Sequence, residues 1–186
     1  MDRSPEAAFD FWEPCIVIRL VLGGERSGKS DFALRTFLAD PGPHVVLATG
    51  QPEDFDFRRR IMAHRRERPT EIPVREAGAD LPELLAQAVA GAGAVLVDSL
   101  DFWMFSVLGK NNGGSEASRM LVEALADAGG CRVTLVSCEV GLGPVAADAA
   151  TRTFIRELGG VNQAVAAAGD EVFLVAAGLP LRLKGE

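Results

Sequence analysis

Apolar residues fall along this chain in runs of two kinds. One kind is short, continuous and rich in β-branched residues: "IVIRLVLGG" (16–24), "HVVLATG" (44–50), "AVLVDSL" (94–100), "RVTLVSCEVG" (132–141) and "EVFLVAAG" (171–178). Each has the length of a strand, and unbroken apolarity is what a strand buried on both faces requires. The other kind is longer, with apolar residues three and four apart: "KSDFALRTFLAD" (29–40), "LPELLAQAVAGA" (81–92), "EASRMLVEALADAGG" (116–130) and "ATRTFIRELGGVNQAVAAAG" (150–169). That spacing predicts amphipathic helices, the last of which Gly159 and Gly160 could interrupt. "DFRRRIMAHRRER" (56–68) reads as a highly charged helix ended by Pro69. "LPLRLK" (179–184) reads as a short edge strand, and "GKNNGGSEAS" (109–118) as a loop expected to be mobile. Buried strands alternating with helices predict an α/β fold: a mainly parallel sheet covered on both faces, in one domain over residues 16–186. Residues 1–15 form an N-terminal extension to it.

Composition narrows the class. The chain has 186 residues, 48% of them hydrophobic, enough for one full core. Its formal net charge of −7 argues against a general nucleic-acid binder. Six arginines between residues 58 and 68 are therefore a local feature on an acidic background, suited to a small anionic ligand. Three cysteines, Cys15, Cys131 and Cys138, show no metal-ligand spacing and read as reduced thiols. The first fifteen residues carry acids and a proline rather than an apolar leader, and no run is long enough to span a bilayer. The expectation is a soluble cytoplasmic protein without membrane insertion.

"GGERSGKS" fits G-x-x-x-x-G-K-[ST], after a predicted strand and before a predicted helix. In such a loop, Gly23, Gly24, Glu25, Arg26, Ser27 and Gly28 turn backbone N–H groups toward phosphate oxygens. The helix N-terminus adds partial positive charge. Lys29 reaches the β- and γ-phosphates, and the Ser30 hydroxyl binds Mg²⁺. A nucleoside triphosphate, ATP or GTP, is the implied substrate. Such a site also uses an acid at the end of another strand to hold the metal or its water, and Asp98 ends "AVLVD". Glu139 and Asp101 are further acids at strand ends, and either could act as a general base.

His64 is one of only two histidines. On a helix, Arg60 and Arg68 lie four residues to either side of it, on the same face. Nearby cations disfavour imidazolium, which keeps the ring neutral and able to attack an α-phosphate. His44, at the start of a strand, reads as structural.

These motifs, in this order, resemble the bifunctional adenosylcobinamide kinase / adenosylcobinamide-phosphate guanylyltransferase family. The likeness runs from about residue 16 to the C-terminus. It rests on "LGGERSGKS", "ATGQPEDFDFRRRIMAHRRERP", "VLVDSLDFWM", "EVGLG" and "FIRELGGVNQAVAAAGDEVFLVAAGLPLRLK". The resemblance implies a RecA-like P-loop fold and a homotrimer. It also implies two steps. ATP or GTP phosphorylates the terminal hydroxyl of the corrinoid's aminopropanol arm. GTP then guanylylates a histidine, which matches His64, and the corrinoid phosphate takes the GMP to give adenosylcobinamide-GDP. By position, Ala48, Thr49, Gly50, Arg65, Arg68, Glu76 and Asp98 fall at the nucleotide site.

The chain departs from the family's pattern in places. Ser99 and Asp101 interrupt a Cys-Leu-Thr run, Cys138 stands for an Asn, and Ala146-Ala147-Asp148 for Pro-Glu-Asn. These positions bear on the acceptor substrate more than on nucleotide binding. Two other readings compete: a diverged P-loop small-molecule kinase, and a nucleotide-binding switch without transfer chemistry.

Overall fold

The computed structural model describes residues 17–50, 72–110 and 113–185. Seven strands form one sheet: β1 (Val17–Gly23), β2 (His44–Ala48), β3 (Val74–Glu76), β4 (Ala94–Asp98), β5 (Arg132–Cys138), β6 (Glu171–Ala176) and β7 (Leu179–Lys184). Their order is β3-β2-β4-β5-β1-β6-β7, all parallel except the β6–β7 hairpin. The helices are α1 (Lys29–Ala39), α2 (Leu81–Val89), α3 (Leu100–Gly109), α4 (Gly114–Ala126) and α5 (Ala149–Ala168). The mainly parallel, doubly covered sheet expected from the sequence is what forms.

Strand alternation divides the core in two. Val21, Leu96, Val136 and Val175 face α1 through Ala33, Leu34 and Phe37. Leu20, Leu22, Val95, Val97, Val133 and Leu135 join the larger cluster with residues of α2 to α5. Successive side chains on a strand point to opposite faces, so an all-apolar strand feeds both layers.

The opposite end of the sheet from the phosphate loop holds a buried ion network. Arg19 donates to Glu171 Oε2 at 2.7 Å, and to Asp40 Oδ2 and Thr134 Oγ1 at 3.1 Å. Arg132 reaches the other Asp40 oxygen at 3.2 Å. Every charge there has a partner, so the network reads as structural. His44 is structural too: its Nε2 lies 3.0 Å from Phe37 O and its ring meets Phe37 edge-on.

Several local expectations are corrected. Residues 100–109 carry α3, a helix the sequence pattern did not predict, and the strand expected over 94–100 ends at Asp98. Leu100, Trp103, Met104 and Val107 are buried at helical spacing, but exposed Phe102 and Phe105 fill the face where polar residues normally reveal the period. Part of the expected 109–118 loop is helical, since α4 starts at Gly114. The helix over 150–169 is not interrupted: α5 runs for 20 residues through Gly159 and Gly160. Burial of Leu158, Val161, Asn162 and Val165 holds it there against the glycine penalty. Strand β3 is three exposed residues, too short for any periodicity. The charged helix over 56–68 and the extension over 1–15 lie outside the described residues.

Candidate active site

Gly23 ends β1, and the loop to Ser30 folds back on itself. Ser27 N–H donates to Gly24 O at 3.2 Å, and Lys29 N–H to Ser27 Oγ at 3.3 Å. Gly28 sits at φ 90°, a conformation that favours glycine. Gly23 has no room for a side chain: a Cβ there would lie 2.4 Å from Ser27 Oγ and 2.7 Å from Val175 O. Glu25 and Arg26 are exposed. Lys29 is buried, and its Nζ donates to Gly24 O at 3.3 Å, across the loop that a phosphate would occupy. Ser30 follows in the first turn of α1. The loop, the lysine and the helix N-terminus thus meet as a phosphate site requires.

The loop is braced from a direction the sequence did not announce. Ala177 and Gly178 form the two-residue β6–β7 turn, with φ 50° and 80°, the signs a type I′ hairpin turn needs. Gly178 N–H donates to Ser27 O at 2.7 Å. A small residue pair between two strand-like runs was the available signal.

Acids stand at the same end of the sheet. Glu139 N–H donates to Gly23 O at 3.1 Å, one strand from the loop. Its Oε1 accepts from Gly141 N–H at 2.7 Å. Asp98 ends β4, two strands from β1 and so roughly 10 Å across the sheet. Its turn is tied to β2: Thr49 N–H donates to Asp98 O at 3.1 Å, and Ser99 N–H to Thr49 Oγ1 at 2.8 Å. Thr49 Oγ1 in turn donates to Ser99 O. Ala48 is in register with both Asp98 and Glu76. Glu76 ends β3 at the sheet's edge, four strands and roughly 19 Å from β1. The rim brings Ala48, Thr49, Gly50 and Asp98 within a nucleotide's span of the loop and leaves Glu76 at the far end. His64, Arg65 and Arg68 fall outside the described residues.

Two of the departures from the family's pattern touch each other. Cys138 Sγ–H donates to Asp101 Oδ2 at 3.4 Å. Burial pushes the Cys138 thiol up to about 11; the Asp101 carboxylate adds to the rise, and nearby Lys29 pulls against it. Asp101 Oδ1 is enclosed and has no hydrogen-bond partner among the described residues. A third departure, Asp148, is a helix cap: its Oδ1 accepts from Thr151 N–H at 2.8 Å at the start of α5. That bond holds its carboxyl below the usual range. Asn162, buried on α5, bonds Ser137 Oγ at 2.6 Å and Cys138 O at 3.1 Å, fixing the end of β5.

Among the described residues no group of three or more His, Cys, Asp or Glu side chains could hold a metal. Mg²⁺ needs no such cage, since substrate phosphates and water supply most of its ligands. A serine hydroxyl and a carboxylate, Ser30 and Asp98, are hard oxygen donors that fit it. No described helix is long and apolar enough to cross a membrane.

Comparisons with known proteins agree. The chain resembles the KaiC-like protein PH0186 of Pyrococcus horikoshii with a TM-score of 0.52 at 15% identity, covering 85% of this chain and 70% of that one. At that identity the likeness speaks to fold, a RecA-like P-loop architecture. A relative from Pseudomonas aeruginosa, the bifunctional adenosylcobalamin biosynthesis protein CobP, is 38% identical over 173 residues, 90% of this chain and 97% of that protein. The bifunctional adenosylcobalamin biosynthesis protein CobU of Salmonella typhimurium is 31% identical over 179 residues, 89% of this chain and 98% of its own. The CobU family model matches residues 19–183. The chain therefore belongs to the cobinamide kinase / cobinamide phosphate guanyltransferase family.

Proposed function

We propose that one nucleotide site, built on Gly23–Ser30, performs both reactions of this family. The chain is a cobinamide kinase and a cobinamide-phosphate guanylyltransferase, as its family and its bifunctional relatives indicate. The observation that carries the one-site reading is a single phosphate loop, with buried Lys29 inside it, facing acids on two neighbouring strand ends. The relatives favour this over a diverged kinase or a transfer-free switch.

In the first step the acceptor's hydroxyl oxygen attacks the γ-phosphorus of ATP or GTP. The bond from that phosphorus to the β–γ bridging oxygen breaks, and the diphosphate leaves with the electron pair. Loop N–H groups and Lys29 stabilise the charge that moves onto it. The hydroxyl proton goes to a carboxylate. Glu139 suits that role better than Asp101: it stands beside the loop with one oxygen anchored by Gly141, whereas Asp101 is engaged by Cys138 and its other oxygen is enclosed. Mg²⁺ held by Ser30 and Asp98 would neutralise phosphate charge.

In the second step a ring nitrogen of His64 attacks the α-phosphorus of GTP, and pyrophosphate leaves. The corrinoid phosphate then attacks the same phosphorus and releases the histidine, giving the GDP-linked product. Arg65 and Arg68 would hold phosphates beside that ring. A homotrimer in the cytoplasm is the setting that the resemblance implies.

Lys29→Ala tests the one-site reading. Mass spectrometry follows phosphorylation of cobinamide by GTP and, in a separate reaction, GMP transfer from GTP to supplied cobinamide phosphate. Both should fall by about a hundredfold or more, the usual effect of losing such an electrostatic contact. Near-normal turnover in either step would require a second nucleotide site.

A further inference from the structure

We infer that the exposed aromatic face of α3 is the platform on which the corrin ring of the acceptor rests; this builds on the reading above. Exposed large apolar side chains are not spread evenly over the described residues. Phe102 and Phe105 are 40% and 57% exposed and leave the end of β4; Leu142 and Val145 are 82% and 89% exposed and follow the end of β5. Both segments emerge at the end of the sheet that carries the phosphate loop, where ligands of open α/β sheets bind. Elsewhere such residues are confined to Val74 and three leucines of edge strand β7.

The α3 face is also held in place. Phe105 stacks on Phe154 of α5, with centroids 4.0 Å apart and planes 10° from parallel. Phe102 lies against Gly50, where an added Cβ would be 3.8 Å from its ring. An apolar, supported surface facing solvent marks a binding face. Its nearest ionisable side chain along α3 is the acidic Asp101, so it does not suit phosphates. Those belong at β1, roughly 10 Å away across the sheet. The acceptor has the matching shape: a broad macrocycle with apolar ring faces, polar amides at its rim, and its reactive hydroxyl at the end of a flexible arm. The ring can rest on α3 while the arm reaches the γ-phosphate.

A competing recess lies on another side of α5, lined by Glu139, Ile155, Gly159, Asn162 and Leu183, with a volume of about 460 Å³. That is at the small end for a compact drug-sized ligand and too small for a corrin with its peripheral amides.

The test uses the full chain with Phe105→Ser and, separately, Phe102→Ser. Equilibrium dialysis of cobinamide, read by its visible absorbance, should show binding weakened about tenfold or more. The KM for cobinamide should rise by a similar factor, with a smaller change in kcat. GTP binding and gel-filtration elution are measured on the same variants. Unchanged cobinamide affinity overturns the inference. A loss of GTP binding with cobinamide affinity kept would make the face a base-stacking surface. A shift in oligomeric state with cobinamide affinity kept would make it a contact between copies of this chain. Failure of the wild type to phosphorylate cobinamide would instead count against the function itself.

Discussion

Gly178 N–H donates to Ser27 O at 2.7 Å, so the turn of the β6–β7 hairpin clamps the phosphate loop from outside. The loop's shape therefore depends on a contact with a segment about 150 residues further along the chain. Gly28 sits at the junction, at φ 90°, and a Cβ there would come within 3.1 Å of Gly178 Cα. Gly28→Ala would place an L side chain in left-handed backbone at a cost of about 1–2 kcal/mol. We expect a Tm drop of about 4 °C, with weaker nucleotide binding as the loop opens away from the hairpin. Differential scanning calorimetry and a GTP titration check it; an unchanged Tm and affinity would mean that the clamp is not needed.

Glu139 is expected to matter to one step only. Glu139→Gln keeps its size and its bond from Gly141 N–H but cannot take a proton. Phosphorylation of cobinamide should slow by about a hundredfold or more. Guanylylation of the protein by GTP needs no proton from the acceptor hydroxyl and should proceed. If Asp101→Asn, and not Glu139→Gln, has this effect, the base is Asp101.

Legibility in the sequence was uneven, for physical reasons. Strands buried on both faces, such as "IVIRLV" and "AVLVD", betray themselves by continuous apolarity. The phosphate loop is equally plain, because its glycines and lysine must fall at fixed spacing to wrap a phosphate. Helix α3 hid because the side that should be polar carries Phe102 and Phe105. The hairpin clamp and the Asp101–Cys138 contact hid because each joins residues far apart in sequence, and only the strand order brings them together. Asp148, read as a departure that bears on the acceptor, also caps α5, a role that only the helix boundary reveals.

Both described cysteines, Cys131 and Cys138, are free, and burial pushes each thiol up to about 11. A thiol protonated in the fold but ionised in the unfolded chain stabilises the native state below the unfolded value, near 8.5–9. That contribution is lost as pH rises through 9 toward 11, because the unfolded chain then binds fewer protons. Alkylation at pH 8, mapped by peptide mass spectrometry, should label both positions slowly in the native protein and fully after denaturation. Cys131→Ser and Cys138→Ser should each flatten the decline of stability between pH 9 and 11. Rapid native labelling of Cys138 would show that its pairing with Asp101 opens readily.

A covalent guanylyl-histidine at His64 is tested most directly by incubating the protein with GTP labelled at the α-phosphate and then denaturing it. The wild type should retain label as a phosphoramidate, lost in acid and stable in alkali. His64→Ala should retain none, yet still bind GTP and keep some kinase activity, since phosphate can pass directly between bound substrates. Label that survives acid, or that persists in His64→Ala, would contradict the account.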